Sequence, residues 1–529
     1  MPHPSDWNHK PAFVLVAIIL LALLLRVVNI GERTLWYDEA FAILFAKSGW
    51  SAMLDGTISP VENGAADVHP LLYYELLHLW MRLFGSSVSA TRLLSVTIGV
   101  LTILTIYGLG RDWFGTRTGL AAALITATAP FHVQYSQETR MYALLALELV
   151  AATWLYWRAW TRGGWGYWAG FALMAAASMY TQQLAAFYLA ALGTLPVLLR
   201  DWRFLRRTIL AAGGAFTLYL PWFVHLPDQL GKLQQYWVDR PNILHIWLAL
   251  RSFFSVNLDF DAAWWLPTFL VAALFPALLF FRAWHALRRP SVNLDERRAL
   301  IWALWLGFAP IVLMWLASVL FQPVFLPRAL LPSAVIVYLA LGWLVTRGGM
   351  PHVVTGVVAA VWTFLVVFGL VTHYGWDTFP NPPFDRAADY LRESVVEPDA
   401  IVHGNKITAL PLRVYAPDLP QRYVRDIPGA GSDTLAVPTQ RALGWLASEC
   451  PAEAAGGAER VWYVAFEQFD GEMAEVTADD PAARVYDSGA WLRAHYTERE
   501  SVRFNDLVVT LFTGPDDAAR RAPCEESTE

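Results

Sequence analysis

The sequence predicts an α-helical polytopic membrane protein that ends in a soluble α/β domain, and three observations carry that prediction. First, 56% of the 529 residues are hydrophobic and only 16% are charged, against about 25% charged in soluble domains. Second, mean hydropathy is +0.37. Third, the charge is divided unevenly: residues 1–375 hold 25 Lys and Arg against 18 Asp and Glu, and residues 376–529 hold 14 against 27. A shift of that size marks a boundary, with a membrane-embedded domain over 1–375 and an acidic soluble domain over 376–529. The same numbers exclude an ordinary cytosolic enzyme. The 26 Trp, 29 Phe and 20 Tyr exclude a solvated coil, and nothing in the charge pattern favours nucleic acid.

Apolar runs near the spanning length of about 20 residues occupy roughly 12–30, 91–110, 118–133, 140–157, 165–181, 184–199, 208–226, 263–283, 299–320, 329–346 and 353–373. The first has no small-residue cleavage site behind it and reads as a retained anchor, not a signal peptide. Residues 70–84 are apolar but short, and they carry Glu75, His78 and Arg82. The positive-inside rule decides their place. The clusters Arg111/Arg117, Arg158/Arg162, Arg200/Arg203/Arg206/Arg207, Arg282/Arg288/Arg289/Arg297/Arg298 and Arg347 fall on one side only if 70–84 lies flat as an interfacial helix. The result is eleven spans, a cytoplasmic N-terminus, a long first outer loop (31–90) with interfacial helices, a short outer turn at 134–139, a long outer loop at 227–262, and the C-terminal domain outside. Acids collect on the outer side, Glu62, Asp67, Asp259 and Asp261 among them.

In the tail, Pro380, Pro382 and Pro383 read as a stiff linker, 385–395 as a helix, and 400–404, 461–466 and 507–512 as strands of a small buried sheet. No glycine-rich phosphate loop follows these strands, so no nucleotide is assigned. Cys450 and Cys524 both fall here and can form one disulfide if the domain faces an oxidising space.

Four clusters could carry chemistry. Leu35-Trp36-Tyr37-Asp38-Glu39 sets two carboxylates beside an aromatic pair just past the first span. The bland reading is an aromatic belt with solvated acids; the functional one is a general base or metal ligand at the interface. Asp67-Val68-His69-Pro70 places a histidine in the same loop. Gln134-Tyr135-Ser136-Gln137-Glu138-Thr139-Arg140-Met141-Tyr142 sets an acid and an arginine in a tight outer turn, where they neutralise each other or share a phosphate-binding cavity. Phe325-Leu326-Pro327-Arg328 ends a span with an arginine on the side the charge bias depletes, which favours a bound anion over mere snorkelling. Together these are carboxylates, a histidine and two arginines on one face of a helical bundle. A lipid phosphate carrying a transferable group needs that inventory: a base for the incoming hydroxyl and cations for the phosphate.

The order and spacing of these motifs resembles the GT-C membrane glycosyltransferases, close to the protein O-mannosyltransferase-like and lipid A aminoarabinose transferase-like group. The resemblance runs over roughly 20–345. It rests on Arg26, Trp36 with Asp38-Glu39, His69-Pro70-Leu71-Leu72-Tyr73, Leu83-Phe84-Gly85 with Arg92-Leu93-Leu94-Ser95, Tyr135-Ser136-Gln137-Glu138 with Arg140-Met141-Tyr142, and Pro327-Arg328. It implies a GT-C fold and inverting transfer of a sugar, hexosyl or pentosyl, from a polyprenyl-phosphate donor to a glycan, lipid or protein acceptor at the outer membrane face; composition points to a bacterial inner membrane. In that reading Asp38 is the base, with Glu39 and Glu138 as further catalytic carboxylates. His69, Tyr73, Arg140 and Arg328 bind the donor phosphate or lipid, and Asp38, Glu138 and His69 are the residues able to hold a divalent metal. Two departures stand out: Ala329 follows Arg328 where relatives carry tyrosine, and Val68-His69 replaces an acid-lysine pair, which argues against an aminoarabinose donor. The competing reading is a transporter or flippase of lipid-linked substrates, but the chain shows no internal repeat and no mid-membrane charge beyond Glu148. A third is a non-catalytic scaffold, which replacement of Asp38 would leave nearly unaffected.

Overall fold

The computed structural model describes residues 10–61, 64–232, 238–256, 265–290, 292–427, 435–520 and 524. Glu62, Asp259 and Asp261 of the acidic set lie outside them. Helix α1 (Lys10–Val27) leads into a loop region made of α2 (Tyr37–Lys47), α3 (Trp50–Ile58), a small hairpin of β1 (Pro60–Val61) and β2 (Gly64–Ala65), and α4 (Leu72–Phe84). Then follow α5 (Val88–Phe114), α6 (Thr116–Thr128), α7 (Pro130–Ser136), α8 (Tyr142–Thr161), α9 (Trp165–Thr181), α10 (Ala185–Leu198), α11 (Trp202–Phe223), α12 (Leu226–Lys232), α13 (Leu244–Phe254), α14 (Trp265–Arg288), α15 (Leu294–Leu320), α16 (Leu331–Arg347) and α17 (His352–Gly375). Each of the eleven apolar runs is thus mainly helical over its described residues. Among the described residues, five helices are long and apolar enough to cross a bilayer unaided, and α11 with α12, bent by 63°, adds a sixth as a pair. The chain is a multi-pass membrane protein.

The run 118–133 folds as two helices because Pro130 has no N–H to donate and holds Ala129 out of helical geometry, at φ −59° and ψ 118°. That break separates α7 from α6, and the 137–141 turn then leads from α7 into α8. Small residues bring helices together where no hydrophobic drive exists between them. A Cβ on Gly119 of α6 would lie 2.7 Å from the Tyr107 carbonyl of α5, and one on Gly342 of α16 would lie 2.9 Å from the Ala122 nitrogen. At the other end of α5 and α8, Trp157 meets Trp302 edge-on at 5.1 Å between ring centroids, and Trp160 stacks on Trp302 at 5.6 Å. Asp112 pairs there with Arg158 at 2.8 Å. The predicted interfacial helix is α4. It buries Tyr73, Tyr74, Leu77 and Met81 and leaves Leu83 and Phe84 exposed.

The C-terminal region adds α18 (Phe384–Ser394), β3 (Ala400–His403), α19 (Lys406–Tyr415), β4 (Gln421–Tyr423), α20 (Val437–Ala442), α21 (Pro451–Ala455), β5 (Arg460–Phe466), α22 (Glu467–Asp479), α23 (Ser488–His495), β6 (Thr497–Phe504), β7 (Leu507–Thr513) and α24 (Asp517–Arg520). Its sheet runs β4-β3-β5-β7-β6, parallel across β4, β3 and β5 and antiparallel from β5 onward. The three predicted strands are β3, β5 and β7, the central ones. β6 (TERESVRF) is an edge strand largely exposed and laced with charge, which blunts the edge and also hides it from a search for apolar runs. Cys450 and Cys524 are disulfide-bonded.

This region sits on the first loop. Thr34 donates from its hydroxyl to the Pro382 carbonyl at 2.7 Å, and the Asn381 amide donates back to the Thr34 carbonyl at 2.9 Å. The Leu35 N–H donates to the Tyr415 hydroxyl at 2.9 Å, and the Thr439 hydroxyl to the Gly56 carbonyl at 2.7 Å. The segment 30–58 is therefore held between the bundle and the C-terminal region.

Candidate functional site

Asp38 and Glu39 occupy the first turn of α2, where a helix N-terminus favours negative charge. Adjacent helical positions point about 100° apart, so the two acids meet different surroundings. Glu39 is sealed in the core. Arg92 grips it bidentately, Nε to Oε1 at 2.8 Å and Nη2 to Oε2 at 2.6 Å, and the Thr139 N–H donates to Oε1 at 2.9 Å. The same guanidinium donates to the carbonyls of Ile30, Arg33 and Thr34, so this pair joins α5, the 30–34 turn, α2 and the 137–141 turn. Asp38 faces the two arginines the sequence singled out: Arg328 Nη1 lies 3.0 Å and Arg140 Nη2 3.6 Å from its Oδ2. Burial would raise the Asp38 carboxyl, but Arg140 and then Arg328 and His69 outweigh it and hold the group below the usual carboxylate range. The Arg328 guanidinium lies over the rings of Trp36 and Tyr142, 5.4 and 5.3 Å from their centroids.

Glu138 differs from both. It is 3% exposed, and among the described residues its Oε1 has no hydrogen-bond partner. Burial, and after it the Glu39 charge, pushes its carboxyl up to about 7. His69 Nδ1 contacts Asp67 Oδ1 at 3.1 Å. Arg140 also donates to the Tyr74 hydroxyl at 3.3 Å, and the Tyr73 hydroxyl meets Ser95 Oγ at 3.3 Å inside the core.

A cavity of about 670 Å³ opens between the bundle and the C-terminal region. Its bundle side is Arg33, Trp36, Gln134, Tyr135, Glu138, Arg251 and Arg328; its far side is Trp376, Thr378, Phe379, Pro380, Asn381, Gln468 and Asp506. Of the sequence candidates, Glu138 and Arg328 form its wall. Asp38 and Arg140 lie behind Arg328, and Glu39, His69 and Tyr73 are not wall residues. Arg33, Arg251, Gln468 and Asp506 were missed. For the two arginines a signal existed: they too fall in the expected outer loops, 31–90 and 227–262, the argument that singled out Arg328.

The metal expectation is not met by this arrangement. Among the described residues no three His, Cys, Asp or Glu side chains come together to hold an ion. Asp38 faces two guanidiniums that would repel a cation, and His69 is engaged with Asp67.

Residues 68–225 match the dolichyl-phosphate-mannose-protein mannosyltransferase family profile. Among solved structures the chain is similar to ArnT from Cupriavidus metallidurans bound to undecaprenyl phosphate, with a TM-score of 0.60 and 15% identity over 96% of this chain and 98% of that one. The chain has a GT-C fold. The Archaeoglobus fulgidus oligosaccharyltransferase in its apo form shares this GT-C architecture, with a TM-score of 0.55 and 14% identity over 94% of this chain and 74% of that one. A search of curated proteins finds no match. The GT-C likeness spans the C-terminal region as well, whereas the residue-level resemblance ends near 345.

Proposed function

We propose that the protein is a membrane glycosyltransferase that takes a hexosyl or pentosyl group from a polyprenyl-phosphate carrier and passes it, with inversion, to a hydroxyl of a glycan, lipid or protein at the outer face of a bacterial inner membrane. The cavity carries this reading: three arginines and a buried carboxylate line one open volume at the end of the membrane helices. The profile match over 68–225 supports sugar transfer, and the fold shared with an undecaprenyl-phosphate-bound protein supports the donor class. The disulfide fits an oxidising compartment, hence a C-terminal domain (376–529) outside the cytoplasm and an N-terminus within it.

In this reaction the acceptor oxygen attacks the anomeric carbon, the bond from that carbon to the phosphate oxygen breaks, and the lipid leaves as its phosphate anion. Arg328, Arg33 and Arg251 stabilise the charge that grows on the phosphate. As the phosphate draws Arg328 away, Asp38 Oδ2 is unmasked and accepts the acceptor proton. Glu39 positions α2 through Arg92 and does not react. A second reading rests on Glu138, a cavity-wall residue with one carboxylate oxygen that has no hydrogen-bond partner among the described residues, while Asp38 stands behind the arginines: Glu138 is then the base and Asp38 the counter-ion that spaces Arg140 and Arg328.

A transfer assay on the full chain in nanodiscs, with a panel of polyprenyl-phosphate sugars and with and without EDTA, tests the proposal. Wild type is expected to release polyprenyl phosphate, insensitive to EDTA, and Asp38→Asn to lose at least about 100-fold. A folded protein that releases none with any donor would point to the transporter. The pH profile separates the two bases. With Asp38 as base, kcat/KM stays flat from neutral pH down past 5; with Glu138, it falls as pH drops below about 7.

A further inference from the structure

The two sides of the cavity have opposite chemistry. The bundle side presents three guanidiniums beside Glu138; the far side presents a carboxylate, two amides, a hydroxyl and aromatic rings with no cation among them. That far side is rigidly built. Phe504 pairs with Leu507 across the β6–β7 hairpin, leaving a two-residue turn of Asn505 and Asp506. Asn505 takes φ 57°, a left-handed conformation that asparagine tolerates better than most residues. The turn is tied to the linker at two points: the Phe379 N–H donates to Asp506 Oδ2 at 2.7 Å, and the Asn505 amide donates to the Asp377 carbonyl at 2.6 Å. It is tied to α22 as well, because the Glu467 N–H, next in the chain to Gln468, donates to the Asp506 carbonyl at 2.9 Å. Trp376 is pinned across the linker by its indole N–H on the Phe379 carbonyl at 3.0 Å. One group is left over. Asp506 Oδ1 is buried and, among the described residues, has no hydrogen-bond partner.

Resting on the reading above, we infer that Asp506, with Gln468 and Trp376, forms a sugar subsite supplied by the C-terminal region, in which the Asp506 carboxylate at the cavity wall accepts a hydroxyl of the donor sugar while the arginines opposite hold its phosphate. A carboxylate accepts sugar hydroxyls strongly, and an indole face packs against the C–H face of a pyranose. The charge polarity orients the donor, since a phosphate is repelled from Asp506 and drawn to the arginines 33, 251 and 328. The C-terminal region then selects which sugar is accepted, not merely where the lipid docks. Burial, with Asp377 and Glu467 adding to it, raises the Asp506 carboxyl from its ordinary value against the backbone N–H groups of Phe379 and of Asp506 itself, which lower it.

The test compares affinities of the full chain in nanodiscs for bare polyprenyl phosphate, polyprenyl-phosphate mannose and polyprenyl-phosphate glucose, in wild type, Asp506→Asn and Arg328→Ala. Asn keeps an acceptor for the Phe379 N–H, so the turn is retained. Wild type should prefer at least one sugar-linked lipid over the bare one. Asp506→Asn should shrink that preference about 10- to 100-fold, the worth of a hydrogen bond to a charged group, with binding of the bare lipid unchanged. Arg328→Ala should weaken all three lipids alike. A wild type indifferent to the sugar, or an Asp506→Asn protein with the wild-type preference, overturns the subsite and leaves the lipid-phosphate reading standing. A wild type that binds none of the three lipids overturns both.

Discussion

The two sides of the cavity were built under different constraints. On the bundle side charges sit in apolar surroundings, and two of the acids are held by arginines, Glu39 by Arg92 and Asp38 by Arg140 and Arg328, while one oxygen of the buried Glu138 has no hydrogen-bond partner among the described residues. On the far side the same cavity is closed by a hairpin turn and a proline-bearing linker whose residues would be unremarked in any soluble domain. The comparison teaches that a membrane-embedded site shows itself by the charges it can least afford, while a soluble cap over that site shows itself only once its fold is known.

The largest effect should come from breaking the sealed pair. Glu39→Ala strands Arg92 in the core and should cost about 3–5 kcal/mol, read as loss of folded protein in detergent or a large fall in Tm. Arg328→Ala comes next. It should leave the fold intact, because the guanidinium lies at the cavity wall, and lower turnover by about 100-fold or more. A Tm loss as large as that of Glu39→Ala would mean Arg328 is structural and would erase the contrast between joint and site.

Glu138→Gln sharpens the comparison within the bundle side. Burial and Glu39 raise the folded-state carboxyl to about 7, so ionising it opposes folding. Its contribution is fully present only below the unfolded carboxylate range and is lost progressively as pH rises through about 7. Glu138→Gln should therefore be at least as stable as wild type at pH 8 and differ least at pH 4, a pattern that Tm measured against pH would show. The smallest effect belongs to the contact between the two regions. Thr439→Val removes the hydroxyl bond to the Gly56 carbonyl and should cost about 1 kcal/mol, a shift of a few degrees in Tm with turnover nearly unchanged.

Much of the bundle was legible because its physics is one-dimensional: an apolar run of about 20 residues can do little but span. The break at Pro130 was overlooked because the run 118–133 was read by hydropathy, which does not see the missing N–H. Asp38, Glu138, Arg140 and Arg328 could be singled out as candidates because they are charges set against an apolar background. What the sequence did not disclose was direction. Nothing in Asp38-Glu39 says that one acid turns to a core arginine and the other to the site, since that depends on the 100° step of α2 and on where α5 places Arg92. Asp506 was out of reach altogether: Asn-Asp in a hairpin turn is ordinary turn chemistry, and its free oxygen becomes visible only with the linker folded against it.

The most direct test of the central claim is to locate a bound lipid phosphate. An experimental structure of the full chain in nanodiscs with polyprenyl phosphate should place the phosphate in the cavity, within hydrogen-bonding distance of Arg328 and at least one of Arg33 and Arg251, with the Arg328–Asp38 contact lengthened. A phosphate held instead among the arginines at the opposite end of the bundle, with Arg328 still on Asp38, would contradict the account.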